Sequence, residues 1–459
     1  MKYTQKGSLS IYVLLIGTVF SILVGGLVLF GAMEFSGVRR TESRFNALSI
    51  AEAGIHYYRW HLAHDPTDFE DGTGQPGPYE HEYSDPVTGV AGKYSLEIIP
   101  PEEGSEIVQI KSTGWTDQHP TIKRTVAARF GPGPLTKFSF LHNASVWFGS
   151  GLTVYGEVFS NGGIRMDGVN ESVVKSMKDT YTCGSETGCS PPQSRPGVWG
   201  GGGPSGLWEF PVPFFDFDSV LTDFNAMRQA AQDSGVYLPN TTWGYHIVFN
   251  ADGTASVYEV ANAGNLRGWD VGVGCQNLYQ DIVSENLLGT YDLATNKIFY
   301  AEDTVWVEGT VNGKATVVAA RLPVGSYTTN MWINGNVQYT TLDGSDNLGL
   351  IAQNDIIYIR NLPNEFVINA AMMAQSGRIM RHHYRYWSCS TSSYARRDKL
   401  TIFGSVISNE KSYWNFSSWS GLQSGFYERD ITFNQKSADQ PSPYFPNTSD
   451  VGILSWDED

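Results

Sequence analysis

The chain has 459 residues, with 31 Lys and Arg against 47 Asp and Glu, for a formal net charge of −16. That balance excludes a nucleic-acid role, since phosphate binding needs clustered basic residues that release counterions. The length exceeds the ~100–200 residues of one ordinary domain, and 49 Gly, 24 Tyr, 23 Phe and 13 Trp with only 17% charged residues describe a turn-rich, mostly β body rather than a helical bundle.

A short polar segment ending in Gly7 opens the chain, and Ser8 follows it. No charge occurs over residues 11–33, whose ends are Ile11 and Met33. About 23 residues at ~1.5 Å each reach ~34 Å, enough to cross a hydrocarbon core of ~30 Å. A secretory signal has a shorter apolar core and a small-residue cleavage site, and neither fits here. The helical pattern continues past the span with no proline before Pro66. Ala47, Ala51, Ile55, Tyr58 and Leu62 recur every three or four residues and so share one face. A single helix over 8–64 is predicted, half membrane span and half amphipathic stalk. Lys2 and Lys6 before the span and Arg39, Arg40 and Arg44 after it leave the charge rule for orientation nearly balanced.

A basic leader ending in glycine, followed by an apolar helix that continues as an amphipathic one, resembles the class III leader of type IV pilins and type II secretion pseudopilins. The Ala51-Glu52-Ala53-Gly54 segment is similar to that of the PilX-type pilus assembly proteins. The resemblance covers about the first 60 residues. It implies cleavage between Gly7 and Ser8 by prepilin peptidase, methylation of Ser8, and retention of the helix as the contact with other pilin or pseudopilin subunits. It further implies an inner-membrane anchor with the head outside the cytoplasm before assembly, then a pilus or cell-surface location. Position five of the mature chain is Tyr12, where major pilins carry a glutamate that neutralises a neighbour's amino terminus. A buried charge without that partner is costly in an apolar environment, so a rare position at the tip or initiation point is expected.

Residues 66–86, rich in Pro, Gly and polar groups, read as a linker. Three alternating segments over 92–130 read as antiparallel strands, completing a pilin-like head over 65–130. A body over 135–459 follows. In it an aliphatic-x-Gly-x-Val pattern recurs at Val154 to Val158, Val307 to Val311, Ile333 to Val337 and Ile402 to Val406, with a degenerate copy near Ile368. A loose repeat of short strands and glycine turns predicts a parallel β-helix or similar solenoid, with a β-sandwich as the alternative. The expected fold class is α+β, mostly β. One helix over about 217–234, with Asp216 or Asp218 as cap and Val220, Phe224, Met227 and Ala231 as its apolar stripe, would cover an open end of the solenoid.

Little in the sequence carries catalytic chemistry. Asp216 and Asp218 could be the acids of a β-helical polysaccharide hydrolase, but their place before a helix favours caps. His56, His61 and His64 read as a solvated helix face rather than a metal site, and His382-His383 as a surface loop. The segment over 343–347 is too sparse for a calcium loop. Cys183 and Cys189 could close a small disulfide loop in an exported chain, which leaves Cys275 and Cys389 as the remaining option. No metal, cofactor or catalytic residue is expected. The expectation is a minor pilin-like structural protein whose large head meets a surface, glycan or partner. The alternatives are a membrane-anchored β-helical carbohydrate-active enzyme and a surface adhesin outside any filament.

Overall fold

A computed structural model describes residues 8–85, 89–217, 224–386, 389–390 and 392–458. The chain divides into two compact units. One holds the residues up to Pro101 together with 107–131 and the segment from Gly452 onward, and the other holds 102–106 and 132–451.

In the first unit, α1 (Ser8–His64) is one unbroken helix of 57 residues, ~86 Å long at ~1.5 Å per residue. Its second half carries the apolar face that the spacing predicts, and Ala47, Ala51, Ile55, Tyr58 and Leu62 are all buried. They pack on an antiparallel sheet of β1 (Tyr79–Asp85), β2 (Gly89–Ile99), β3 (Val108–Thr116) and β4 (Lys123–Pro134), in that order. Leu96, Ile110, Val126 and Ala128 supply the sheet side of this core. Each such large apolar side chain contributes roughly 1.5–3 kcal/mol on burial, so this stripe holds the stalk to its sheet.

Two expectations need correction here. The linker over 66–86 contains β1, which pairs with β2 from Tyr79 opposite Leu96 onward. An edge strand with one buried face tolerates charged residues on the other, and Glu80 and Glu82 disguise it. The body also does not run to the end of the chain. The last strand, Asn447–Glu458, joins the sheet as the neighbour of β4. The large second unit is therefore an insertion between two adjacent strands of the stalk-bearing sheet.

The second unit is dominated by parallel pairing, arranged as three ladders. In the first, Val174, Val158, Phe140, Val406, Met372, Leu350, Val317, Phe299 and Val236 stand side by side in register, and all are buried. In the second, Tyr245, Val305, Met331, Ile356 and Ile379 align. In the third, Val337, Ile368, Ile402, Ile431 and Val154 align. These rows share one apolar cluster. An antiparallel sandwich would not pair this way, which sets that alternative aside. Among the described residues of this unit, antiparallel pairing is confined to short excursions and to one long hairpin, Thr254–Asp270 with Gly274–Asp292.

The recurring glycine pattern marks the corners between ladders. Gly309 (φ 116°) and Gly335 separate second-ladder from third-ladder residues, whereas Gly156 (φ 96°) and Gly404 separate third-ladder from first-ladder residues. A positive φ of this size is readily adopted only by glycine. A Cβ on Gly309 would also lie 2.2 Å from Phe249 O, so the corner admits no side chain.

The chain enters the first ladder in its middle. Phe138–His142 lies between Glu157–Ser160 and the end of Arg396–Ser408. From there the chain steps outward to Val174–Ser176, re-enters at the far end at Val236–Leu238, and winds back to meet its own start. The helix α2 (Phe224–Asp233) buries Phe224, Met227 and Ala231 on the other side of this ladder, in a cluster with Ile298, Tyr300 and Val318. Asp218 and Val220 lie outside the described residues.

Candidate functional site: the N-terminal helix and its seat

Over its first half α1 has no packing partner among the described residues. From Leu9 to Glu42 every residue is exposed, including Ile11 (64%), Tyr12 (65%) and Met33 (70%). The helix is long and apolar enough to cross a membrane, with a peak mean hydropathy of 2.7. Several of its hydroxyls bond back into the helix. Thr18 Oγ1 donates to Leu14 O (3.0 Å) and Leu15 O (2.9 Å), and Ser36 Oγ to Met33 O (2.8 Å). A helix that closes its own hydrogen bonds can stand in hydrocarbon. Gly7 lies outside the described residues, and Ser8 is the first residue of the helix.

The Ala51-Glu52-Ala53-Gly54 segment lies where α1 meets its sheet most closely. A Cβ on Gly54 would stand 2.3 Å from Ser112 Oγ and 2.8 Å from Tyr94 Cδ2. Opposite, a Cβ on Gly114 would stand 2.4 Å from both Ala47 O and Ala51 N. The small residues thus let helix and sheet backbones approach, while Glu52 and Ala53 are only half-buried at the side. Sequence reasoning found the segment by resemblance but missed Gly114 and Ser112, which lie on a strand with no local signal for this contact.

The three stalk histidines do not converge. His61 Nε2 pairs with Asp68 Oδ2 at 2.9 Å, His64 Nδ1 donates to Trp60 O at 2.8 Å, and His56 lies against the Trp456 ring at 6.0 Å. His61 is therefore held by a partner rather than left in solvent. His382 and His383 are buried, at 2% and 8% exposure, and not on a surface loop. They follow the strand Ile379–Arg381 into the interior, and burial pushes both imidazoles down to about 4, so they are neutral near pH 7. Asp343 accepts bonds from Thr341 and Ser345 in a turn. No cluster of three or more metal-ligating side chains occurs among the described residues.

Two disulfides are present. Cys183 is bonded to Cys189, and Cys275 to Cys389. Near the first, four side chains stack in alternation. The Arg165 guanidinium lies 4.3 Å from the Trp147 ring and 4.9 Å from Trp199, and Arg195 lies 4.5 Å from Trp199 on its own side. Asp167 Oδ2 accepts from both Trp147 Nε1 (2.8 Å) and Arg165 Nε (2.7 Å), which locks the first pair. Nothing in the linear spacing of these residues announces the stack.

No protein-family model matches the chain, and no curated protein matches it. Among solved structures it is similar to the competence-associated pilin ComZ from Thermus thermophilus, at 16% identity and a TM-score of 0.31, over 91% of this chain and 97% of that one. A TM-score of that size carries no argument about fold or function.

Proposed function

We propose that this chain is a minor, pilin-like structural subunit, processed between Gly7 and Ser8 by prepilin peptidase and assembled through α1 with other pilin or pseudopilin subunits. One observation carries the reading. A single helix is apolar and unpartnered over its first half and seated on an antiparallel sheet over its second. In the inner membrane the free half spans the bilayer, with the head outside the cytoplasm. On assembly it exchanges lipid for other apolar helices at little hydrophobic cost, because one apolar environment replaces another.

The three parallel ladders with glycine corners support reading the body as coils of a parallel solenoid, each burying its inward row on its neighbours. A body of this size repeated at every position would crowd a regular filament, and Tyr12 offers no carboxylate to a neighbour's amino terminus. Both favour a tip or initiation position, with the body presented for adhesion. The role is structural and binding rather than catalytic. Labelling the body on isolated filaments tests the location: signal confined to filament ends supports it, and dense signal along the length contradicts it.

A further inference from the structure

The first and third ladders run without a break past the point where the chain meets its own start, but the second does not. It ends at Met380, bridged to Tyr413, while Val146–Phe148 pairs only with Ile164–Met166 on its other side. No strand pairing joins 411–417 to 146–148 among the described residues. The two halves of this face stay apart, and between them lies a cleft of ≈ 480 Å³. That volume is within the ~300–1,000 Å³ usual for small-ligand sites.

The cleft is lined by two cations in a molecule of net charge −16. Arg429 makes no ion pair among the described residues, and its buried Nε has no hydrogen-bond partner. Lys411 donates to Glu186 O and interacts at longer range with the Glu186 carboxylate, without forming an ion pair. The one carboxylate in the lining, Asp167, is engaged by Trp147, Arg165 and the Gly201 amide. A guanidinium withdrawn from water without a counter-charge is costly, so Arg429 calls for an anion. His142 adds an unmet hydrogen-bonding group. It is 2% exposed, and its Nδ1 has no partner. The rest of the wall includes apolar Phe148 and Leu152 and the hydroxyl of Ser417, while the Asn415 amide is already engaged on both its atoms by the Phe426 backbone. A bare inorganic anion would leave the apolar side chains and the Ser417 hydroxyl without a match. A sugar ring carrying a carboxylate matches all of them.

We propose that this cleft binds an acidic saccharide of the uronic-acid type, its carboxylate held by Arg429 and Lys411 and its hydroxyls by His142 and Ser417. The proposal deepens the adhesive reading of the body and rests on it. A charge-assisted contact between guanidinium and carboxylate is short, strong and geometrically selective.

The test is calorimetric titration of the full chain in detergent micelles with trigalacturonate, with galactotriose as the uncharged counterpart and inorganic phosphate as the bare anion. The expected result is binding of trigalacturonate but of neither comparator, weakened about tenfold or more in Arg429→Gln and in Lys411→Gln, with thermal midpoints unchanged. Arg429→Lys, which keeps the charge, retains part of the affinity. Failure of the unaltered chain to bind trigalacturonate overturns the proposal. So does equal binding of galactotriose or phosphate, or full affinity in both glutamine variants. Every side chain invoked lies within 142–429, so a negative result leaves the processing of Ser8 and the filament reading standing, and the converse also holds.

Discussion

Gly54 on α1 faces Ser112 on β3 so closely that a Cβ at Gly54 would lie 2.3 Å from Ser112 Oγ. Helix propensity alone makes Gly54→Ala stabilising by up to ~1 kcal/mol. The close approach reverses the sign. Overpacking at such a contact costs ~1–3 kcal/mol, so Gly54→Ala is expected to lower the midpoint of chemical denaturation and Gly54→Val to lower it further. Ser112→Gly removes the nearer obstacle, and the double variant Gly54→Ala with Ser112→Gly should recover part of the loss.

The seam of the body gives a second prediction. Phe140, from the first strand of the insertion, stands in register between Val158 and Val406, and nearby Asn143 donates to Asn409 across 266 residues of sequence. Phe140→Ala is expected to cost ~3–5 kcal/mol. Because this strand pairs with both Glu157–Ser160 and Arg396–Ser408, limited proteolysis of the variant should open the strands on both sides. If only the strands over 138–176 become susceptible, the seam does not couple the two sides.

A buried histidine makes stability depend on pH. His246 lies between Glu285 Oε2 (2.8 Å) and Glu308 Oε1 (3.1 Å). Burial opposes its charge, but the bonds to the two carboxylates outweigh burial and hold its pKa above the ordinary 6.5. The bond to His246 likewise holds Glu308 below its ordinary 4.5. A raised histidine contributes stability that is complete below pH 6.5 and lost as the pH climbs through the raised value. A lowered carboxylate contributes stability that is present above pH 4.5 and lost on acidification through the lowered value. The triad is therefore strongest between those limits. Denaturation midpoints should fall from pH 6 to pH 8 in the unaltered chain, and His246→Gln should flatten that slope.

The disulfides should differ in weight. Cys275–Cys389 closes a loop with a sequence separation of 114, and Cys183–Cys189 one of 6. Loop-closure entropy assigns ~4.7 kcal/mol to a loop of ~100 residues and ~2 kcal/mol to one of about six. Replacing both cysteines of the long loop by serine should lower stability by ~2–3 kcal/mol more than replacing both of the short one, measured by chemical denaturation.

What could be read in the sequence was what is written locally. The stripe of Ala47, Ala51, Ile55, Tyr58 and Leu62 has helical period and proved to be the buried face. The glycine pattern was visible as a repeat, although not as two kinds of corner, because the ladder that each half joins is set by distant strands. The place of Asn447–Glu458 beside β4 carried no local mark, and neither did the return of Arg396–Ser408 to Phe138–His142. β1 was hidden by the charges on its open face. The cleft groups Arg429, Lys411 and His142 come from segments far apart in the chain and meet only because one ladder fails to close.

The most direct test of the pilin-like reading is mass spectrometry of the amino terminus of the protein isolated from its native cells. The account predicts a chain that begins at Ser8 and carries an N-methyl group, with α1 intact. A mature chain that still begins at Met1, or one cleaved beyond Met33 so that the apolar half is lost, would contradict it.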